Sequence, residues 1–178
     1  MANAELTQYL GRQTLLAGAV NSGKTTGTTA ILEQFLAAGY AWEIAVLDLA
    51  PDPVRGIGGK LSFVKPPGLL YLTAQIAAPR LMGRDAAEIQ ELASANARNI
   101  ENLFVELERQ PRNILFLNDV TLYLQAGSLQ RLLSVLQNSS TRIINAYYGD
   151  SFADSDLSRR ERRLTEDLMA HSDTVTLL

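Results

Sequence analysis

Thr14-Leu15-Leu16-Ala17-Gly18-Ala19-Val20-Asn21-Ser22-Gly23-Lys24-Thr25-Thr26 is the stretch on which the reading of this chain turns. It holds a complete GxxxxGK[ST] pattern, with Gly18 followed by Gly23, Lys24 and Thr25, placed after an apolar run and before a helical pattern. A loop with little side-chain bulk between strand and helix turns successive backbone N–H groups inward, and the helix N-terminus adds partial positive charge. Such a nest fits a chain of phosphates. Gly18, Ala19, Val20, Asn21, Ser22, Gly23, Lys24, Thr25 and Thr26 are its expected lining. Lys24 would reach β- and γ-phosphates as a point charge, and the Thr25 hydroxyl would help hold Mg²⁺.

Outward from this loop, strands and helices alternate. Thr14–Ala17 reads as the first strand, behind a short surface lead-in over 1–13. Ile31, Leu32, Phe35 and Leu36 fall on one face of a helix from Lys24 to about Ala38, with Gly39 where a terminating glycine belongs. Glu43–Leu49 reads as a buried strand whose Asp48 would lie at the carboxyl end of the sheet. Five of the six prolines fall between Ala50 and Arg84, together with five glycines. Because proline removes backbone donors and glycine weakens regular elements, this segment is expected to be a long irregular insertion with a short strand near Leu69–Thr73.

Asp85 with Glu88 starts the longest helical pattern, whose stripe is apolar except for Asn96 and which Pro111 closes. Ile114–Leu117 follows as a strand ending in Asn118 and Asp119. Gly127-Ser128 opens a further helix, Arg142–Tyr147 forms the fourth main strand, and Val175–Leu178 the fifth. Ser158 with Glu161 has the spacing of a capping box for the last helix. Each strand is a nearly continuous apolar run, as in sheets buried on both faces. The expected fold is an α/β three-layer sandwich around a mostly parallel sheet of five strands or slightly more, forming one domain over 1–178.

The bulk numbers agree with a single globule: 178 residues, 47% hydrophobic. Sixteen basic against nineteen acidic side chains give a net charge of −3, which offers no electrostatic case for broad nucleic-acid or membrane binding. Cysteine is absent, which removes disulfides and thiolate chemistry and fits a cytoplasmic protein. No run approaches the ~18 apolar residues of a membrane span.

The loop resembles the Walker A motif of P-loop NTPases. That resemblance implies the P-loop NTPase fold, ATP with Mg²⁺ as cofactor, and a second carboxylate from another strand. Asp119 is the first choice for that carboxylate and Asp48 the second. The segment Ile114 to Gly127 is similar to the Walker B region of the RecA-like corrinoid adenosyltransferase group, and Ser172-Asp173-Thr174-Val175-Thr176 to that group's terminal strand. The chain departs from the group in having Asn118 where it has Asp, and Asp119 where it has Glu. The phosphate loop also lacks that group's extra Gly and Lys.

Ser158-Arg159-Arg160-Glu161-Arg162-Arg163 places four arginines at the start of a helix, where the macrodipole disfavours them. They look like the arginine-rich lid of small P-loop kinases, with Arg159 and Arg162 as its expected catalytic members; paired with nearby acids they would be an exposed salt-bridged face. Three functions remain open at this point. They are an Mg²⁺-dependent ATPase or adenosyltransferase-like enzyme, a small-molecule or nucleotide kinase, and a slow nucleotide-dependent switch that engages a protein partner through the 50–84 loop. The expected partners are a nucleoside triphosphate and a small-molecule acceptor of unknown identity; a homo-oligomer is compatible with the chain. The absence of an NKxD-like run after the late strand makes GTP the less favoured nucleotide.

Overall fold

The computed structural model describes residues 5–178, and residues 1–4 of the expected lead-in lie outside them. Six strands form one open sheet: β1 (Gln13–Gly18), β2 (Ile44–Asp48), β3 (Leu70–Thr73), β4 (Ile114–Asn118), β5 (Thr141–Tyr147) and β6 (Thr174–Leu177). Their order is β3-β2-β4-β5-β1-β6, and every pairing is parallel. The sixth strand is the short one in the Pro/Gly-rich segment. It docks on β2 at the edge of the sheet, where a run with only a few bondable residues suffices.

The helices are α1 (Lys24–Ala37), α2 (Pro79–Met82), α3 (Ala86–Arg109), α4 (Thr121–Leu124), α5 (Leu129–Leu136) and α6 (Asp156–Ala170). Alternation along the strands divides the core in two, because successive side chains in a strand point to opposite faces. Leu16, Ile44, Val46, Ile114, Phe116 and Ile143 face α1, where they meet Ile31, Leu32 and Phe35. Leu15, Leu47, Leu115, Leu117 and Ile144 face the other way, against Phe104 of α3, Leu132 of α5 and Leu168 of α6. The result is a parallel sheet with helices on both faces, consistent with a three-layer α/β fold.

Two local expectations are corrected. Residues 5–11 are more than a surface lead-in: Leu6 is fully buried in the α1-side core, with Tyr9 and Leu10 packed beside it. The last helix begins before Ser158. Ser155 is its cap, and its hydroxyl accepts the Ser158 N–H at 3.1 Å. Glu161, expected to close a capping box, is buried and bonded elsewhere. The caps of α3 and α5 are as read: Asp85 accepts from the Glu88 N–H and Ser128 from the Arg131 N–H.

The 50–84 segment is irregular for most of its length but anchored. Leu61, Ile76, Ala78 and Pro79 are buried, and Asn96 of α3 both donates to the Ala77 carbonyl (2.9 Å) and accepts its N–H (2.8 Å). The one polar position in the stripe of α3 is thus a clamp on the approach to α2. Among the described residues no helix is long and apolar enough to cross a membrane.

Candidate functional site

At the carboxyl end of β1 the chain turns through Ala19–Gly23 into α1. Asn21 (φ 57°) and Gly23 (φ 92°) both take left-handed backbone, which asparagine tolerates and glycine adopts freely. Gly18 is required for a different reason. A Cβ there would stand 2.5 Å from both the Leu178 carbonyl oxygen and the Ser22 hydroxyl.

No side chain caps α1. Among the described residues, nothing accepts a hydrogen bond from the backbone N–H groups of Asn21, Gly23, Lys24, Thr25 or Thr26. Unsatisfied donors of this kind make a helix N-terminus receptive to anions. The Lys24 ammonium folds back on its own loop, donating to the Ala19 carbonyl (2.5 Å) and the Ser22 hydroxyl (3.4 Å).

These groups line a cavity of about 420 Å³, within the range of small-molecule sites. Of the expected loop lining, Val20 to Thr26 border it, while Gly18 and Ala19 do not. The floor comes from the strand ends: Asn118 as the last residue of β4 with Asp119 directly after it, and Asn145 and Tyr147 of β5. The opposite wall is the Pro/Gly-rich segment, through Pro51, Ile57, Gly59 and Arg80.

Asp119 is brought to the cavity by a turn in left-handed backbone (φ 60°). Its N–H donates to the Asn145 side-chain oxygen (2.7 Å), and its carboxylate accepts the Thr121 hydroxyl (2.6 Å). Burial pushes its carboxyl pKa up; the Thr121 hydrogen bond and the charges of Lys24 and Arg80 pull it partly back. Burial likewise lowers the Lys24 ammonium pKa, with Asp119 opposing the shift. An acid and a base thus face one cavity, both short of solvation and each partly compensating the other.

Asp48 is placed differently from the expectation that it could hold a metal. It is completely buried, does not line the cavity, and its carboxylate is occupied by the Leu61 N–H (2.7 Å), the Tyr71 hydroxyl (2.8 Å) and the Asn118 amide (2.7 Å).

Arg159 and Arg162 are outside the cavity too. Arg159 pairs with Asp154 (2.5 Å) and Asp156 (2.7 Å), and Arg162 with Glu166 (3.3 Å) and the Tyr148 hydroxyl (3.0 Å), all on the surface. Arg160 donates to the Gly127 carbonyl (2.6 Å), joining α6 to the turn after α4. The local acids and the surface tyrosine are what favour cations at this helix start.

The arginine in the cavity is Arg80 of α2. Its guanidinium makes a two-pronged pair with buried Glu161 (2.9 and 3.0 Å) and lies 4.0 Å over the Phe152 ring. Burial raises the Glu161 carboxyl pKa, opposed by Arg80 and by the Gln125 amide that donates to it at 2.7 Å. The sequence marks neither Arg80 nor Glu161 as a site residue and reads Glu161 only as a capping-box partner. Arg80 sits in a Pro-rich stretch without a motif, and Glu161 lies among four arginines that offer closer partners. The available signal is Glu161 itself, at i+4 from Leu157 with Thr165 at i+8 and Leu168 at i+11, the buried face of α6.

The donor set fits a hard divalent cation. The Thr25 hydroxyl, with no protein partner among the described residues, and the Asp119 carboxylate line the same cavity. The described residues include no cluster of three or more His, Cys, Asp or Glu that could hold a metal by itself. This set suits Mg²⁺, which usually keeps several waters and takes one or two carboxylates together with substrate phosphates. No family model matches this chain, and no curated protein matches it.

Proposed function

We propose that the chain is an Mg²⁺-dependent ATP-binding protein of the P-loop NTPase type that hydrolyses ATP or transfers part of it to a small molecule. One observation carries this reading. Asn21 and Gly23–Thr26, whose five backbone N–H groups are unpaired, line the same cavity as Asp119, which comes from a strand two places away in the sheet. Backbone donors satisfy the phosphate oxygens, and Lys24 exchanges the Ala19 carbonyl for the β- and γ-phosphates. Thr25 and Asp119 would hold Mg²⁺, which when bound neutralises charge on the phosphate oxygens. Arg80 has N–H groups left over from its pair with Glu161 and faces the same space, so it supplies positive charge where the transferred group becomes more negative.

A smaller cleft favours transfer to an acceptor over simple hydrolysis. It shares Arg80, Tyr147 and Phe152 with the main cavity and adds Arg159 and Arg162 at its outer rim. An acceptor seated there would lie next to the phosphate end of the nucleotide. In this arrangement Arg159 and Arg162 act on the acceptor and Arg80 on the phosphates.

The test is Mg²⁺-dependent turnover of ATP beside GTP, alone and with a panel of small phosphate acceptors. ATP turnover that Lys24→Ala lowers by about a hundredfold or more is the expected result. Equal turnover and equal ATP affinity in the wild type and Lys24→Ala would overturn the proposal. ATP binding without turnover would shift the reading to a nucleotide-dependent switch.

A further inference from the structure

We infer that Asn118 is a positioning residue, the middle link of a row Asp48–Asn118–Asn145 that fixes the backbone of Asp119 and ties it to the cavity wall at Gly59–Leu61. The functional consequence rests on the nucleotide reading above; the row itself does not.

The row follows from sheet register. Asp48 is paired with Asn118 across β2 and β4, and Leu117 with Ile144 across β4 and β5, so Asp48, Asn118 and Asn145 stand side by side at the carboxyl end of the sheet. Strand alternation points all three toward α1, one step beyond the apolar row Val46, Phe116 and Ile143. All three are buried, so each needs partners within the protein.

Only one hydrogen-bond direction is available. The Asp48 carboxylate, already accepting from Leu61 and Tyr71, takes the Asn118 NH₂ at 2.7 Å. That turns the Asn118 carbonyl toward Asn145, whose NH₂ donates to it at 2.8 Å. The same NH₂ donates to the Thr28 hydroxyl (2.9 Å), which has spent its own hydrogen on the Lys24 carbonyl (2.9 Å). The Asn145 side-chain oxygen is therefore left for the Asp119 N–H, and the Asn145 backbone carbonyl takes the Val120 N–H at 3.0 Å. Two consecutive N–H groups are held by one residue at the point where the backbone enters the left-handed region, a conformation that a non-glycine residue keeps when its surroundings impose it. The second Asn118 N–H donates to the Gly59 carbonyl (3.3 Å).

An aspartate at 118 would set a second carboxylate against that of Asp48 and leave Gly59 without a donor. The neutral amide at 118 is thus demanded by the charge at 48. It also follows that the charge is movable. Asp48→Asn combined with Asn118→Asp keeps every link of the row: the carboxylate on β4 accepts from the β2 amide and from Asn145, while the β2 amide oxygen serves Leu61 and Tyr71. Only the Gly59 contact is lost.

The experiment compares wild type, Asn118→Asp and the double exchange as full chains. It reads amide hydrogen exchange at Asp119 and Leu61 without nucleotide, then ATP affinity with Mg²⁺. Asn118→Asp should lower protection at both amides by about tenfold or more and weaken ATP binding. The double exchange should restore protection at both amides to within about threefold of wild type. Wild-type protection in the single variant, or a double variant no better protected than the single one, folded or not, overturns the row. A wild-type chain that does not bind ATP would sink the nucleotide reading, and the amide result would still decide the row.

Discussion

Asp119 and Lys24 show what the site costs the fold at the scale of single residues. The Asp119 carboxyl is raised above its ordinary value near 3.8, so between that value and the raised one the folded chain holds a proton that the unfolded chain has released. Stability falls as pH rises through that window, and above it the buried charge is a standing cost. Lys24 is lowered from 10.5, so between its lowered value and the ordinary one the folded chain has already lost a proton that the unfolded chain keeps; stability rises with pH there. Asp119→Asn removes the first window while its side-chain oxygen can still accept from Thr121. The variant should be more stable than wild type at pH 7 by roughly 0.5–2 kcal/mol, with the difference shrinking toward pH ~4, and should lose Mg²⁺-dependent turnover. Denaturant unfolding across that range checks it; a variant less stable at pH 7 would mean that burial is not what governs this carboxyl.

Among the elements, α3 and the segment before α2 are the pair that places Arg80. Asn96, 2% exposed, is the only polar side chain on the buried stripe of α3 and satisfies both backbone groups of Ala77. Asn96→Leu fills the same space but leaves that N–H and carbonyl unpaired, at a cost of about 1–3 kcal/mol. The loss should register as lower denaturant stability and as faster amide exchange at Ala77 and Leu81, with β5 unaffected. What the sequence made legible follows the same division. The loop from Gly18 to Thr26 could be read because its chemistry is local: strand, glycines, lysine and helix follow one another in the chain. Asp119 could be found as the end of an apolar run. Arg80 with Glu161 could not, because the pair joins residues about eighty positions apart through a segment with no periodic signal. Asp48 differs from its sequence expectation for a related reason: a carboxylate at a strand end looks the same in sequence whether it opens to a cavity or, as here, is covered by Leu61 and Tyr71 from the irregular segment.

For the molecule as a whole, the sheet order sets what a ligand at the loop can stabilise. One strand, β5, separates the loop strand β1 from β4, so a group bridging Lys24 and Asp119 spans the centre of the sheet. The irregular segment forms the facing wall and is held to the sheet through Asp48 and Asn118, to α3 through Asn96 and to α6 through Glu161. The strand count could be read only to within one because β3 has four residues and lies at an edge, where local pattern is weakest. A ligand that binds only the folded chain and contacts loop, floor and wall together stabilises the whole domain. At a concentration a hundred times its Kd it contributes about 2.7 kcal/mol, which for a chain of this size corresponds to a rise in Tm of roughly 5–11 °C. That rise is expected with ATP and Mg²⁺ together, less than half of it with either alone, and none in Lys24→Ala. Thermal scans of the wild type with these three additions, and of Lys24→Ala with ATP and Mg²⁺ together, measure it. An equal shift from ATP in wild type and Lys24→Ala would place the nucleotide somewhere other than the loop.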